Sequence, residues 1–239
     1  MKKLFVILVI LILIIILALG YFGFVPGVSA LFGSNQPRDL GVEYTIEDYQ
    51  QAKVKAPVEI IVSEGDVAPE KSLIMAGSVD VDSSLTSAEL TSILGEEENN
   101  WRYNPITDFQ VLIGEDGSAQ VSGMMHFDRL EGYLGATGGS YSDVQKVLKY
   151  FKLVPDAIPF YVSSTATVTN NRAFLGIGKA ELGRIPVPQN LLDNNISEIN
   201  NFVSDVLAGY DEVFVESMTL DEGELRFKGS LPESIESYR

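Results

Sequence analysis

The chain of 239 residues is strongly acidic, with 33 acidic and 17 basic side chains and a formal net charge of −16. This balance argues against nucleic acid as a partner, because phosphate binding depends on basic patches. Cysteine is absent, which excludes disulfides, zinc-thiolate sites and thiolate nucleophiles. With 46% apolar residues, the chain is long enough to bury one sizeable core.

The first 25 residues are predicted to be a transmembrane anchor. Lys2 and Lys3 precede an apolar run from Leu4 to Phe24, and about 20 such residues span a bilayer as a helix. Because the next basic residue is Arg38, the charge asymmetry predicts a cytoplasmic N-terminus and an extracytoplasmic domain. The expected location is therefore the cell membrane, crossed once.

A cleaved signal peptide is the alternative for the same segment. Val28-Ser29-Ala30 follows the small-residue pattern of a cleavage site. The apolar run is longer than the ~7 to 15 residues of a signal peptide, which favours an uncleaved anchor. Both alternatives export the domain, and residues 26–40 are interpreted as a linker.

Residues 41–232 are predicted to form one α+β domain, a curved and mostly antiparallel sheet covered by two or three helices, and 233–239 a tail. Alternating apolar residues and acidic-glycine or asparagine turns indicate hairpins, and capping boxes or apolar spacing at helical period indicate helices. The hairpins are Ile106–Ile113 with Ala119–Phe127, Phe160–Thr169 with Phe174–Leu182, and Val213–Leu220 with Glu224–Gly229. The helices begin at Thr45, Thr86, Tyr141 and Gln189, and a half-buried strand precedes Thr86.

Two of the hairpins resemble each other. Aligning Gly117 with Gly223 also matches Phe109 with Val215 and Val121 with Phe227, an offset of 106 residues. An internal duplication and a chance recurrence of acidic-glycine turns explain this equally well. Between the hairpins, the glycine-rich segment 132–140 lacks the Gly-Lys-Ser/Thr ending of a phosphate-binding loop and is predicted to be a flexible loop.

The predicted helix Gln189–Leu207 carries an apolar stripe at helical spacing. Such a stripe usually packs on a sheet, but it also lines a groove where helix and sheet part to admit an apolar ligand. The residues of this candidate ligand-binding face are Leu192, Ile196, Ile199, Phe202 and Val203.

The residues that carry chemistry elsewhere are few. His126 is the only histidine, and its neighbours Met124, Met125 and Phe127 are typical of strand packing. The acidic cluster Glu96-Glu97-Glu98 does not match an EF-hand loop, although the sequence leaves calcium binding open. Trp101 and Tyr103 suit a packed loop or a sugar-stacking surface. The sequence therefore predicts no catalytic residue, no metal site and no cofactor.

Three segments carry a resemblance to a known family: Leu85–Leu90 (LTSAEL), Lys179–Pro188 (KAELGRIPVP) and Leu220–Gly229 (LDEGELRFKG). Over about 73–232 the order of elements resembles membrane-anchored envelope proteins of the LmeA-like phospholipid-binding type, which are related to tubular lipid-binding (TULIP-like) domains. The resemblance implies a curved antiparallel sheet wrapped on a long helix, with an apolar groove for acyl chains.

Two functions follow as expectations. The first is non-enzymatic binding of a lipid or another apolar envelope component on the face that begins at Leu192. The second is a tethered structural or protein-interaction module without a ligand groove, whose partner is an envelope protein. A core with no groove beside the long helix would favour the second.

Overall fold

The computed structural model describes residues 2–23, 25–137 and 156–239, and for residues 2–9 and 26 it describes the backbone only. The described helices are α1 (Lys2–Tyr21), α2 (Pro26–Leu31), α3 (Ile46–Lys55), α4 (Ser87–Glu97), α5 (Leu130–Thr137) and α6 (Gln189–Ala208). The described strands are β1 (Glu59–Ser63), β2 (Leu73–Ala76), β3 (Val79–Thr86), β4 (Ile106–Ile113), β5 (Ser118–His126), β6 (Ala157–Thr169), β7 (Arg172–Leu182), β8 (Ile185–Pro186), β9 (Phe214–Asp221), β10 (Glu224–Leu231) and β11 (Ser234–Tyr238). The predicted α+β class is confirmed.

The larger sheet is antiparallel and forks at β6. One edge of β6 pairs with β7 along its length, and the other edge pairs first with β5 and then with β9. The hairpin β4–β5 extends one arm, while β9, β10 and β3 extend the other. All three predicted hairpins are confirmed, and the sheet is curled as expected.

A ribbon of two strands links this sheet to a smaller one. β3 pairs with β10 and β2 pairs with β11 in one continuous register, interrupted at Gly77 and Ser78. Gly77 has a φ of +72°, which favours glycine at this bend. β1 then adds to β11 in parallel, the one parallel pairing among the described strands. The predicted tail 233–239 is thus wrong, because Ser234–Tyr238 is the middle strand of the smaller sheet.

Capping chemistry sets the starts of α3 and α4, as the sequence predicts. The Thr45 hydroxyl accepts the backbone N–H of Asp48, and the Asp48 carboxylate accepts the N–H of Thr45. Thr86 and Glu89 make the same reciprocal pair at α4. Glu89 is buried and also binds Lys55 at 2.7 Å, so the cap of α4 is tied to the end of α3.

Three other segments differ from the sequence prediction. The linker 26–40 contains α2, and the glycine-rich segment is helical over residues 130–137. Gly132 and Gly135 are needed there for packing, because a Cβ at either position would collide with Tyr103 or Pro69. The helix predicted at Tyr141–Phe151 lies outside the described residues.

The helix α1 spans 20 residues. Within the described part of the chain, no helix is both long and apolar enough to cross a membrane. The anchor over residues 1–25 therefore remains a prediction.

Helices block two edges of the larger sheet with polar side chains. On the outer edge of β4, Val111 N–H donates to the Thr91 hydroxyl at 3.1 Å and Ile113 N–H donates to the Ser87 hydroxyl at 2.9 Å. On the outer edge of β7, Ala173 N–H donates to Ser204 and Leu175 N–H donates to Asn200. Since open strand edges are templates for aggregation, these side chains protect the sheet.

Replacing Thr91 by valine tests this arrangement. Thr91 is 1% exposed, so the substitution leaves the Val111 N–H buried without its acceptor. We expect the free energy of unfolding to fall by about 1–3 kcal/mol, measured by urea denaturation, and the Val111 amide to exchange faster. Thr219→Val, at an exposed position of β9, is the control and should change stability by less than about 0.5 kcal/mol. Equal effects of the two variants would contradict the edge-blocking role.

Candidate binding cleft

A cleft of about 430 Å³ lies between the extended segment 36–44, α4 and the start of β4. The extended segment contributes Gln36, Pro37, Arg38, Asp39, Val42 and Tyr44, α4 contributes Thr91 and Gly95, and Glu98, Asp108, Phe109 and Gln110 complete the lining. The lining combines three carboxylates and one guanidinium with the apolar side chains of Val42 and Phe109.

Hydrogen bonds from backbone N–H groups to side chains hold the walls of the cleft in place. Leu40 N–H donates to the Gln110 side chain at 2.7 Å, which joins the extended segment to β4. Asp108 N–H donates to the Glu98 carboxylate at 2.7 Å, which joins β4 to the end of α4. Asp108 has a φ of +51° and lies in an irregularity of the β4–β5 pairing. This irregularity turns the start of β4 so that Asp108 is exposed beside Glu98.

Tyr44 closes one side of the cleft by lying over Gly95. A Cβ at Gly95 would lie 2.6 Å from the Tyr44 hydroxyl, so any other residue would displace the ring. Burial and then the negative charges of Glu96 and Glu98 raise the pKa of Tyr44. The hydroxyl is therefore a hydrogen-bond donor in an acidic setting rather than a base.

Arg38 lies between the cleft and a buried carboxylate. Its guanidinium binds Glu181 at 2.6 Å and lies 4.1 Å from the centre of the Tyr161 ring. Lys179 binds the other oxygen of Glu181 at 2.8 Å. Burial raises the pKa of Glu181, but the hydrogen bonds and charges of Lys179 and Arg38 outweigh it and hold the pKa below its usual value. Arg38, the one cationic side chain of the cleft, thus shares the single negative charge of Glu181 with Lys179.

The cleft is therefore net acidic. Its lining has three carboxylates, those of Asp39, Glu98 and Asp108, against the one cation of Arg38, which Glu181 also binds. A ligand with a positive charge and a short apolar part matches this lining better than an anion does. Among the described residues, no group of three or more His, Asp or Glu side chains could hold a metal ion.

The structure places the predicted ligand-binding residues of α6 on two different sides. Leu192 is buried, and Ile196, Ile199 and Val203 are partly buried, whereas Phe202 is 51% exposed. Val203 packs against a core cluster of Val168, Ala173 and Val215. Most of the stripe thus packs on the sheet, as an ordinary amphipathic helix does.

A second cavity, of about 550 Å³, lies beside α6 and β7. None of the five predicted residues lines this cavity. Six of its eight lining residues are polar or charged, and the full lining is Arg172, Ala173, Phe174, Ser197, Asn200, Asn201, Ser204 and Asp205. Two of these side chains, Asn200 and Ser204, are already bound to the edge of β7. The described cavity beside α6 is therefore not an apolar groove.

The remaining sequence candidates have structural partners. His126 lies 2.9 Å from the Thr107 hydroxyl, and burial lowers its pKa. Trp101 donates to the Ser72 hydroxyl and packs edge-on against Tyr103, as a packed loop would. Glu97 of the acidic cluster binds Lys53 and accepts a hydrogen bond from Tyr49. Burial, followed by the charge of Glu97, raises the pKa of Tyr49 to about 12.

Sequence reasoning did not find the cleft. Arg38 and Glu181 are 143 residues apart, and four of the cleft residues, Gln36 to Asp39, come from the segment that the sequence indicated as a linker. The one signal in the sequence was the acidic cluster Glu96-Glu97-Glu98, since Glu98 meets Asp39 and Asp108 in the cleft. Nothing in their spacing predicts that they meet.

The fold is thus an α+β domain with a curled antiparallel sheet, and the cleft between segment 36–44, α4 and β4 is acidic. Compared with protein-family models, with curated proteins and with solved structures, the chain gives no match in any of the three. The resemblance to LmeA-like phospholipid-binding proteins stays a prediction.

Proposed function

We propose that the protein is a membrane-anchored, extracytoplasmic, non-enzymatic binding module that takes a basic segment of another envelope protein into the acidic cleft. The observation that carries this proposal is the lining of the cleft, in which three carboxylates outnumber one guanidinium that is itself bound to Glu181. The cleft holds one or two long side chains by volume, and Phe109 and Val42 suit the methylene stem of a lysine or arginine.

The anchor is supported by the exposure of α1. From Ile10 to Leu17, consecutive apolar side chains are between 37% and 56% exposed, so every face of this part of the helix is open. A helix that is apolar all round requires an apolar surrounding. Lys2 and Lys3 at its start favour a cytoplasmic N-terminus, which places the acidic domain outside.

The packing of α6 favours a protein ligand over a lipid. An acyl chain needs a continuous apolar groove, whereas most of the α6 stripe is covered by the sheet, and six of the eight residues that line the neighbouring cavity are polar or charged. Lipid binding on the face containing Ile199 is the competing proposal. Stoichiometric lipid that stays bound to the purified chain, and is lost in Ile199→Asp without loss of fold, would favour it.

The binding experiment uses the full chain in lipid nanodiscs. Two short peptides are titrated, one alternating glycine with lysine and arginine, the other alternating glycine with aspartate and glutamate. We expect the basic peptide alone to shift the amide resonances of Asp39, Gly95 and Asp108. Shifts spread over the surface, or none, would overturn the proposal.

Neutralising the cleft gives a quantitative test. The triple substitution Asp39→Asn, Glu98→Gln and Asp108→Asn keeps the hydrogen-bond acceptors and suits the positive φ of Asp108. Since exposed charge pairs contribute about 0.2–1 kcal/mol each, we expect the basic peptide to bind about tenfold more weakly. Isothermal titration calorimetry measures the change.

A matched control changes the same net charge elsewhere. Asp193→Asn, Glu198→Gln and Asp211→Asn replace three exposed carboxylates on and after α6. This variant should bind the basic peptide nearly as tightly as the unaltered protein. An equal loss in both variants would mean that overall charge, and not the cleft, attracts the peptide.

A further inference from the structure

The end of α1 is fixed to the segment that follows it. Gly20 lies so close to Val28 of α2 that a side chain at Gly20 would collide with it. The buried Ser34 hydroxyl donates to the Gly20 carbonyl at 2.7 Å. Ser34 N–H also donates to Ser29 at 3.0 Å. The chain therefore folds back on the last turn of α1 instead of leaving it as a free linker.

The same junction is packed against the larger sheet. Gly183, in the turn between β7 and β8, has a φ of +63°, and a Cβ there would collide with the Phe22 carbonyl. The neighbouring Arg184 side chain donates to the Gly33 carbonyl at 3.1 Å. These contacts hold the sheet at a set position relative to α1.

An uncharged apolar patch lies at this junction. We define the boundary patch as Tyr21, Leu31 and Phe32, which are 51%, 80% and 45% exposed. The rings of Tyr21 and Phe32 are 5.8 Å apart, so Phe32 lies level with the last turn of α1. The sequence has no Asp, Glu, Lys or Arg between Lys3 and Arg38, although the chain as a whole is strongly charged.

We infer that the boundary patch lies in the interfacial layer of the bilayer and seats the domain on the outer leaflet, with the β7–β8 turn towards the lipid. This inference rests on the proposed anchoring by α1. Aromatic side chains concentrate at membrane interfaces, and a short helix with an exposed apolar side lies along them. Arg184, which donates to the Gly33 carbonyl at this junction, is a cation that suits the phosphates of lipid headgroups.

The absence of cysteine makes the test direct, because a single introduced cysteine is a unique labelling site. Leu31→Cys, Val54→Cys and Ile15→Cys are each spin-labelled in the full chain and reconstituted in nanodiscs of phosphatidylcholine and phosphatidylglycerol. Val54 is the matched control, since it is an apolar helix residue with 81% exposure, close to that of Leu31, far along the chain from the junction. Ile15 lies within α1.

Collision rates with oxygen and with a water-soluble nickel chelate give the depth of each label. We expect the ratio of oxygen to nickel collisions to be severalfold higher at position 31 than at 54, and highest at 15. If the label at 15 lies in the bilayer but the oxygen-to-nickel ratios at 31 and 54 are equal, the placement of the boundary patch is overturned and the anchoring by α1 is not. A water-exposed label at 15 would overturn both. Near-ultraviolet circular dichroism confirms that each variant is folded.

Discussion

Replacing Leu192 by alanine is expected to lower the free energy of unfolding by about 2–4 kcal/mol. Leu192 is 8% exposed on the side of α6 that faces the sheet, so truncation leaves a cavity there. Leu191 precedes it on the same helix and is 51% exposed. Leu191→Ala should change stability by less than about 0.5 kcal/mol, measured by urea denaturation of both variants.

This pair of variants also separates the two proposed functions. If Leu192 lined a ligand groove, its truncation would weaken lipid binding and leave the empty protein almost as stable as before. If it is core, stability falls and binding of the basic peptide by the folded protein is unchanged. Similar stabilities for the two leucine variants would contradict the packing described for α6.

Replacing Glu181 by glutamine is expected to destabilise the protein by about 1–3 kcal/mol at neutral pH. Glu181 is buried and binds both Arg38 and Lys179, while the Nε of Arg38 is buried without a hydrogen-bond partner of its own. Without the carboxylate, the Arg38 guanidinium still lies over the Tyr161 ring but has lost its ion pair with residue 181. The exposed pair of Glu216 and Lys228 is the control, and Glu216→Gln should cost less than about 1 kcal/mol.

The pH dependence gives a second readout for Glu181. Because its folded pKa is lowered, its stabilising contribution is fully present above the ordinary value of 4.5 and is lost as the pH falls through the folded pKa. The stability difference between the unaltered protein and Glu181→Gln should therefore shrink below pH 4.5. A difference that stays constant into acid would contradict a lowered pKa at this carboxyl. Denaturant titrations at several pH values measure it.

Local chemistry made much of the fold predictable. The capping boxes at Thr45 and Thr86 and the turns at Gly117 and Gly223 act through neighbours within a few residues, and the structure has each of them where expected. The long helix also starts at the predicted residue, Gln189. In each case the interactions that decide the structure join residues only a few positions apart, so a short stretch of sequence is enough to predict it.

The wrong predictions concern segments whose structure depends on contacts between residues far apart in the sequence. Gly132 and Gly135 indicated a loop because glycine weakens helices, but Tyr103 and Pro69 pack so closely that only glycine fits. Ser234–Tyr238 indicated a tail because a short segment alone has no partner, yet it lies between β1 and β2. The candidate site on α6 stays a prediction, because spacing alone does not tell a stripe that faces a core from one that faces a groove.

The sequence by itself determined the acidic character of the protein, the exclusion of thiol chemistry, the apolar N-terminal helix and the antiparallel hairpins. These properties depend on composition and on contacts between near neighbours. Only the tertiary structure decided that α6 packs on the sheet, that Arg38 reaches Glu181 and that Asp39, Glu98 and Asp108 share a cleft. Such long-range meetings depend on how the sheet curls and how helices close its edges, and that geometry is a property of the assembled chain.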